Sequence, residues 1–148
     1  MIVPDVNLLV YAQIEAFAEH SRARAWWEDL LNGRTEVGIS APVLFGFLRV
    51  VTNRRVFDPP LSVEDALGRV EGWLRRPQVR VLAPGPRHLE IAFSLLRRLG
   101  TAANLTTDAQ VAALAIEHQA ELHSNDADFG RFPQLRWVNP LEPTQARR

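Results

Sequence analysis

The residues best suited to chemistry are aspartates standing just beyond short apolar runs. Asp5 follows Met1–Val3, with Asn7 two positions on, and Asp126 and Asp128 follow Glu121–His123, with Ser124 and Asn125 between. Asp108 opens a stretch of helical periodicity. The chain contains no cysteine and no lysine, and none of its histidines is spaced as a ligand beside these acids. Carboxylates without a nucleophile or a soft ligand suit a hard divalent cation, Mg²⁺ or Mn²⁺, which takes oxygen donors. Such an ion activates water and stabilises the charge that builds on a phosphate. Without it, converging carboxylates repel, so at least one pKa should rise, and ion affinity should fall at low pH. Taken singly, Asp108 also suits the first turn of a helix, and Asp126 and Asp128 suit a turn. Asp5 is harder to explain that way, because an unpaired carboxylate after a buried strand is costly.

The elements needed to gather these acids are legible in outline. Helical faces run through Ala23, Trp26, Trp27, Leu30 and Leu31 before Gly33, and through Val63, Ala66, Leu67, Val70, Trp73 and Leu74 after the cap Ser62. A third face holds Leu89, Ala92, Phe93, Leu96 and Leu99 before Gly100. A fourth holds Val111, Ala112, Leu114 and Ala115, and Thr107 to Gln110 has capping-box spacing at its start. Pro42 to Thr52 is apolar enough for a further helix. Between them, Met1–Val3, Val37–Ile39, Val79–Leu82, Glu121–His123 and Arg136–Val138 read as short buried strands. Strands without strict alternation, separated by helices, predict a three-layer α/β/α sandwich around a mostly parallel sheet. Ligands of an open parallel sheet bind beyond the carboxyl ends of its strands. Asp5, Asp108, Asp126 and Asp128 fall at that edge.

A length of 148 residues fits one domain, over 1–140, with a short polar tail over 141–148. A chain of this size buries a real core without disulfides or structural zinc. No run reaches a membrane span, and the opening segment carries Asp5 and lacks a basic leader, so a soluble, cytoplasmic protein is expected. The net charge is +0, from 17 basic and 17 acidic residues, and every basic residue is arginine. That balance does not announce a nucleic-acid binder, so any RNA contact must come from a local patch. The absence of lysine fits codon usage in a GC-rich genome as readily as a preference for arginine forks on phosphates.

Three motifs in this order resemble the PIN-domain family, and the VapC-type toxins in particular. IVPDVNLLVYA resembles the family's first motif, LTTDAQVAALA its third and HSNDADF its fourth. Intermediate stretches such as HSRARAWWEDLL, FLRVVTNRRVF and VRVLAPGPRHLEIAFSLL extend the likeness over nearly the whole chain. The resemblance implies a PIN-type sandwich and metal-dependent cleavage of RNA by water. It makes Asp5, Asp108 and Asp126 the Mg²⁺ or Mn²⁺ ligands, with Asn7, Ser124 and Asp128 orienting ligands or water. It implies a cognate small antitoxin that covers the active site, and a homodimer, with apolar residues around Trp26 and Phe45 available for an interface or for the core.

One departure stands out. The family carries a glutamate on the helix after the second strand, and Gly46 occupies that position here, with no acid between Glu36 and Asp58. Gly46 either allows close helix packing, at about 1 kcal/mol relative to Ala, or leaves the metal site one carboxylate short. The second reading points to a PIN-like scaffold that binds RNA or protein without cleaving. Phosphoryl-transfer enzymes of the haloacid-dehalogenase type and phospho-acceptor receiver domains both need a lysine that this chain lacks. Arg49, Arg54 and Arg55 form either a phosphate-facing patch or a solvated face. His123 reads as strand or core, and His20, His88 and His118 as surface. The tryptophans read as core or interface rather than as stacking platforms for bases.

Overall fold

The first strand, β1 (Ile2–Pro4), ends in an aspartate that caps the helix following it. Asp5 takes an extended backbone, and its carboxylate accepts a hydrogen bond from the Val6 amide, which starts α1 (Val6–Gln13). That helix was not visible in the sequence. Leu8, Leu9, Val10 and Ala12 are all buried, so it carries no apolar stripe with a polar opposite face. The structure is a computed structural model that describes residues 1–143. It continues through α2 (His20–Asn32), β2 (Val37–Ser40), α3 (Ala41–Val51), α4 (Val63–Leu74), β3 (Val79–Leu82) and α5 (His88–Leu99). Next come α6 (Thr106–Glu117), β4 (Glu121–His123) and β5 (Arg136–Val138), with single 3₁₀ turns at Ala103–Leu105 and Ala127–Arg131.

The five strands form one sheet in the order β3-β2-β1-β4-β5, with every pairing parallel. From β1 the chain steps outward through β2 to β3, then crosses back to β4 and β5. Right-handed crossovers therefore place α1 to α4 on one face and α5 and α6 on the other, which is the three-layer sandwich. Val3, Val37, Ile39 and Leu122 fill the middle of the sheet, and under the larger helical layer Trp73 packs edge-on against Trp27 and tilted against Phe47. Among the described residues, no helix is long and apolar enough to cross a membrane.

Several local expectations shift. Helix α6 starts at Thr106 with Leu105 at its cap, and no side chain caps it, so the capping box is not formed. Helix α5 buries His88, Ile91, Ala92 and Leu95 and exposes Leu89 and Phe93. Its core face is thus turned from the one the larger apolar residues suggest, and His88 is interior rather than surface. In α4 the buried set is Ala66, Val70 and Trp73, while Val63 is exposed. Of the tail over 141–148, Leu141 is buried and its carbonyl accepts from the Arg22 guanidinium; residues 144–148 lie outside the described residues.

Candidate active site

The site begins with the hydrogen bonds that hold Asp5. Its amide donates to the His123 carbonyl at 2.9 Å, which extends the β1–β4 pairing by one residue. One carboxylate oxygen accepts from the Val6 amide, and the other accepts from the Ser124 hydroxyl, each at 2.8 Å. Burial raises the Asp5 pKa above the ordinary carboxylate value. The hydrogen bonds from Ser124 and Val6 oppose that rise, and the charge of Asp126 adds to it.

Ser124 is the hinge of the arrangement. It is fully buried, its hydroxyl donates to Asp5, and the same oxygen accepts from the Asp126 amide at 3.0 Å. Its own backbone is clamped, because its amide donates to Val138 and its carbonyl accepts from the Trp137 indole. Asp126 then caps the 3₁₀ turn Ala127–Arg131, with its carboxylate accepting from the Asp128 amide at 2.9 Å. Asp128 is exposed and lies 3.7 Å from the Arg131 guanidinium.

Asp108 approaches from α6 on the other side of the sheet. Its pKa is raised to about 6, first by burial and then by the charges of Asp5, Asp126 and Asp128. Asp108 therefore lies within the fields of the other three acids. Among the described residues, no three side chains of the metal-binding kinds close on a common point. The all-oxygen donors suit Mg²⁺ or Mn²⁺, since Mg²⁺ keeps several waters and takes only one or two carboxylates directly. Asn7 stands exposed in the first turn of α1, beside Asp5 in the chain.

Supporting residues emerge that sequence reasoning did not single out. The Trp26 indole donates to His123 Nδ1 at 3.0 Å and stacks on its ring, while His123 Nε2 faces a Glu121 carboxylate oxygen at 2.7 Å. An indole N–H only donates, so Nδ1 is an acceptor and the proton sits on Nε2. Burial lowers the His123 pKa despite Glu121, which agrees with a neutral ring. This chain of contacts holds the strand whose carbonyl accepts from Asp5. It commits Trp26 to the scaffold, so of that residue and Phe45 only Phe45, which is 69% exposed, is open to an interface. Asn125 is likewise fixed, by Asn139 at 3.0 Å. The Trp26–His123 and Asn125–Asn139 pairs join separate segments, which no spacing rule predicts.

Gly46 lies in mid-α3 against α1. A β-carbon there would stand 2.9 Å from Val6 Cγ2, closer than such carbons pack. The glycine therefore lets the two helices approach directly beside Asp5, which supports the packing explanation. Arg49 sits in the last turn of α3, and Arg54 and Arg55 are exposed just beyond it. With 11 residues, α3 carries them about 16 Å from its capped start at the sheet edge. The described contacts do not bring them to the acids.

The sequence profile of the PIN domain family matches residues 2–135. The chain belongs to the PIN-domain family. It is 55% identical over 141 residues to Ribonuclease VapC33 of Mycobacterium tuberculosis, covering 95% of this chain and 99% of that protein. It is 39% identical over 140 residues to Ribonuclease VapC37 of the same species, across 95% and 97% of the two chains. Among solved structures, VapBC2 from Rickettsia felis, bound to a DNA fragment from its promoter, aligns with a TM-score of 0.69 at 22% identity, covering 94% of this chain and 98% of that one. VapC20 of M. tuberculosis, a Sarcin-Ricin loop cleaving toxin, aligns at 0.67 and 19%, covering 92% and 98%. This PIN domain thus stands with the VapC ribonucleases of toxin–antitoxin systems, and the non-cleaving binding module is the less favoured reading.

Proposed function

We propose that this PIN domain is an endoribonuclease toxin that works with Mg²⁺ or Mn²⁺ at Asp5, Asp108 and Asp126. The observation that carries the reading is the gathering of these acids at the carboxyl edge of the sheet, where burial first, and then the charges of Asp5, Asp126 and Asp128, raise Asp108 to about 6. When bound, the ion supplies an activated water and offsets the charge that builds on the scissile phosphate. The protein's own part is positional. Ser124 holds one Asp5 oxygen and the Asp126 backbone together. Asp128 and Asn7 line the approach and orient water, and the hydrogen-bonded His123 strand keeps Asp5 from moving. Arg49, Arg54 and Arg55 would give phosphate contacts that position RNA without reading its sequence.

We infer three further properties: a protein partner, a dimer and a cytoplasmic place of action. A cognate small antitoxin inserts a basic side chain near Asp5 and Asp126, since arginine pairs bidentately with carboxylates. Complexes such as the Rickettsia felis VapBC2 assembly support a partner of this kind. The protein forms a homodimer with Phe45 in the interface, and it acts in the cytoplasm. The test is cleavage of total RNA by the purified protein in Mn²⁺, in EDTA, and with Asp5→Asn. Cleavage only by wild type and only in Mn²⁺ supports the proposal, and EDTA-resistant cleavage contradicts it. Light scattering of the same preparation reads the dimer, and co-expression with the adjacent small reading frame reads the antitoxin.

A further inference from the structure

Beside the acids lies a cavity of about 160 Å³ that none of the chemistry above uses. Its walls come from Pro42, Leu82, Pro84, Val111 and Leu114, and it is predominantly apolar. Its position ties it to the active site. One wall is the end of β2, the strand paired with β1 that delivers Asp5. Another is α6 itself, where Gln110 and Val111 follow Asp108 by two and three residues. One helix therefore presents Asp108 to the other acids and, within a single turn, a wall to the cavity.

Two polar groups on the lining lack an assigned role. Gln110 is exposed on α6. His88 lines the cavity and is 8% exposed, and its Nδ1 is sealed from water without a hydrogen-bond partner among the described residues. A buried acceptor or donor left unpaired is destabilising, and His88 Nδ1 is such a group on the lining of this cavity. The volume is below the roughly 300–1,000 Å³ of ordinary small-molecule pockets, so a helix does not enter and a single flat ring does. An apolar slot with a glutamine and a histidine on its lining is what an unstacked base requires. Its faces want apolar contact, and its edge wants hydrogen-bonding partners.

We propose that this cavity is a base-reading subsite, taking one unstacked nucleobase of the RNA next to the phosphate at the acids, with Gln110 and His88 reading its edge. The proposal rests on the reading that the chain cleaves RNA. It deepens that reading by assigning sequence preference to a pocket and not to the arginines.

The experiment separates the two ideas by using neutral probes. Adenosine, guanosine, cytidine and uridine carry no phosphate, so neither metal nor acid repulsion governs their binding. Saturation-transfer NMR on the full chain in EDTA should show contact through base protons, strongest for one of the four, with backbone shifts at Gln110 and Val111. Gln110→Ala, at an exposed position, should fold normally and weaken that nucleoside about 5-fold or more, the scale of one lost base-edge pairing. Val111→Phe should fill the slot and abolish the signal. In Mn²⁺, the ends of fragments cut from a randomised RNA pool should share one base for wild type and lose that bias in Gln110→Ala. Equal signals from all four nucleosides, or a preference that survives in both variants, overturn the subsite. Loss of antitoxin binding in the variants with base preference intact overturns it too and gives the cavity to a protein side chain. Nucleoside selectivity without any RNA cleavage upholds the subsite and removes the nuclease reading instead.

Discussion

Replacing Ser124 by alanine removes one hydroxyl and strands two partners. The Asp5 carboxylate loses a donor at 2.8 Å, and the Asp126 amide loses an acceptor at 3.0 Å. A hydrogen bond to a charged group contributes about 1.5–3 kcal/mol, and an unsatisfied buried polar group costs about 1–3 kcal/mol. Asp126 is partly exposed, so water recovers some of the second loss, and the expected destabilisation is about 2–4 kcal/mol at pH 7 without metal. The pH dependence follows from Asp5. Its folded pKa already lies above the unfolded value, so the charged carboxylate costs stability above the folded pKa, and that cost is relieved as pH falls. The serine hydrogen bond holds this pKa down, so Ser124→Ala raises it further and enlarges the cost at neutral pH. The difference between wild type and variant should therefore be greatest near pH 7 and shrink in acid. Urea unfolding followed by circular dichroism across that range reads it, with Ser124→Thr expected to recover much of the loss. A difference under about 0.5 kcal/mol at pH 7, or one independent of pH, would refute the role given to the hydroxyl.

Two further substitutions probe the same neighbourhood. Asp108→Asn should stabilise the metal-free protein above pH 6, because the wild-type carboxyl, raised from 3.8 to about 6, destabilises the fold once ionised. That gain should vanish as pH falls toward 4 in thermal melts, and its size is reduced by the solvent screening of a half-exposed group. Gly46→Ala gains about 1 kcal/mol of helix propensity but places its β-carbon 2.9 Å from Val6 Cγ2, an overpacking cost of about 1–3 kcal/mol. Net destabilisation by up to about 2 kcal/mol is expected in urea titrations, and a more stable variant would contradict close packing of α1 on α3.

The sandwich was legible because its strands are short apolar runs set between helical periodicities, and because parallel sheets place ligands at one edge. Asp5 and Asp126 were readable as residues just past strand ends. Helix α1 was not, since Leu8, Leu9 and Val10 leave it no polar stripe and its start depends on one side-chain contact from Asp5. The turned face of α5 was missed for a related reason. Leu89 and Phe93 are large and apolar yet exposed, while His88 is interior, and size alone does not say which side meets the sheet. The Trp26–His123 contact and the Ser124 hydrogen bond to Asp5 join segments 97 and 119 residues apart, which no local pattern encodes. Gly46 shows the limit of motif comparison, because the missing glutamate looks like lost chemistry until the 2.9 Å approach to Val6 supplies a packing reason.

Asp5, Asp108 and Asp126 are proposed to hold divalent metal together. Titration of Mn²⁺ into the wild-type protein, followed by electron paramagnetic resonance at pH 7.5 and pH 5, tests it without any RNA. Saturable binding at pH 7.5 should weaken at pH 5 as the Asp108 carboxyl, with its pKa raised to about 6, takes up a proton. Asp5→Asn and Asp108→Asn should each lose at least 10-fold in affinity while remaining folded, about 1.4 kcal/mol or more. Binding that is unchanged in both variants, or equally tight at the two pH values, would contradict the account.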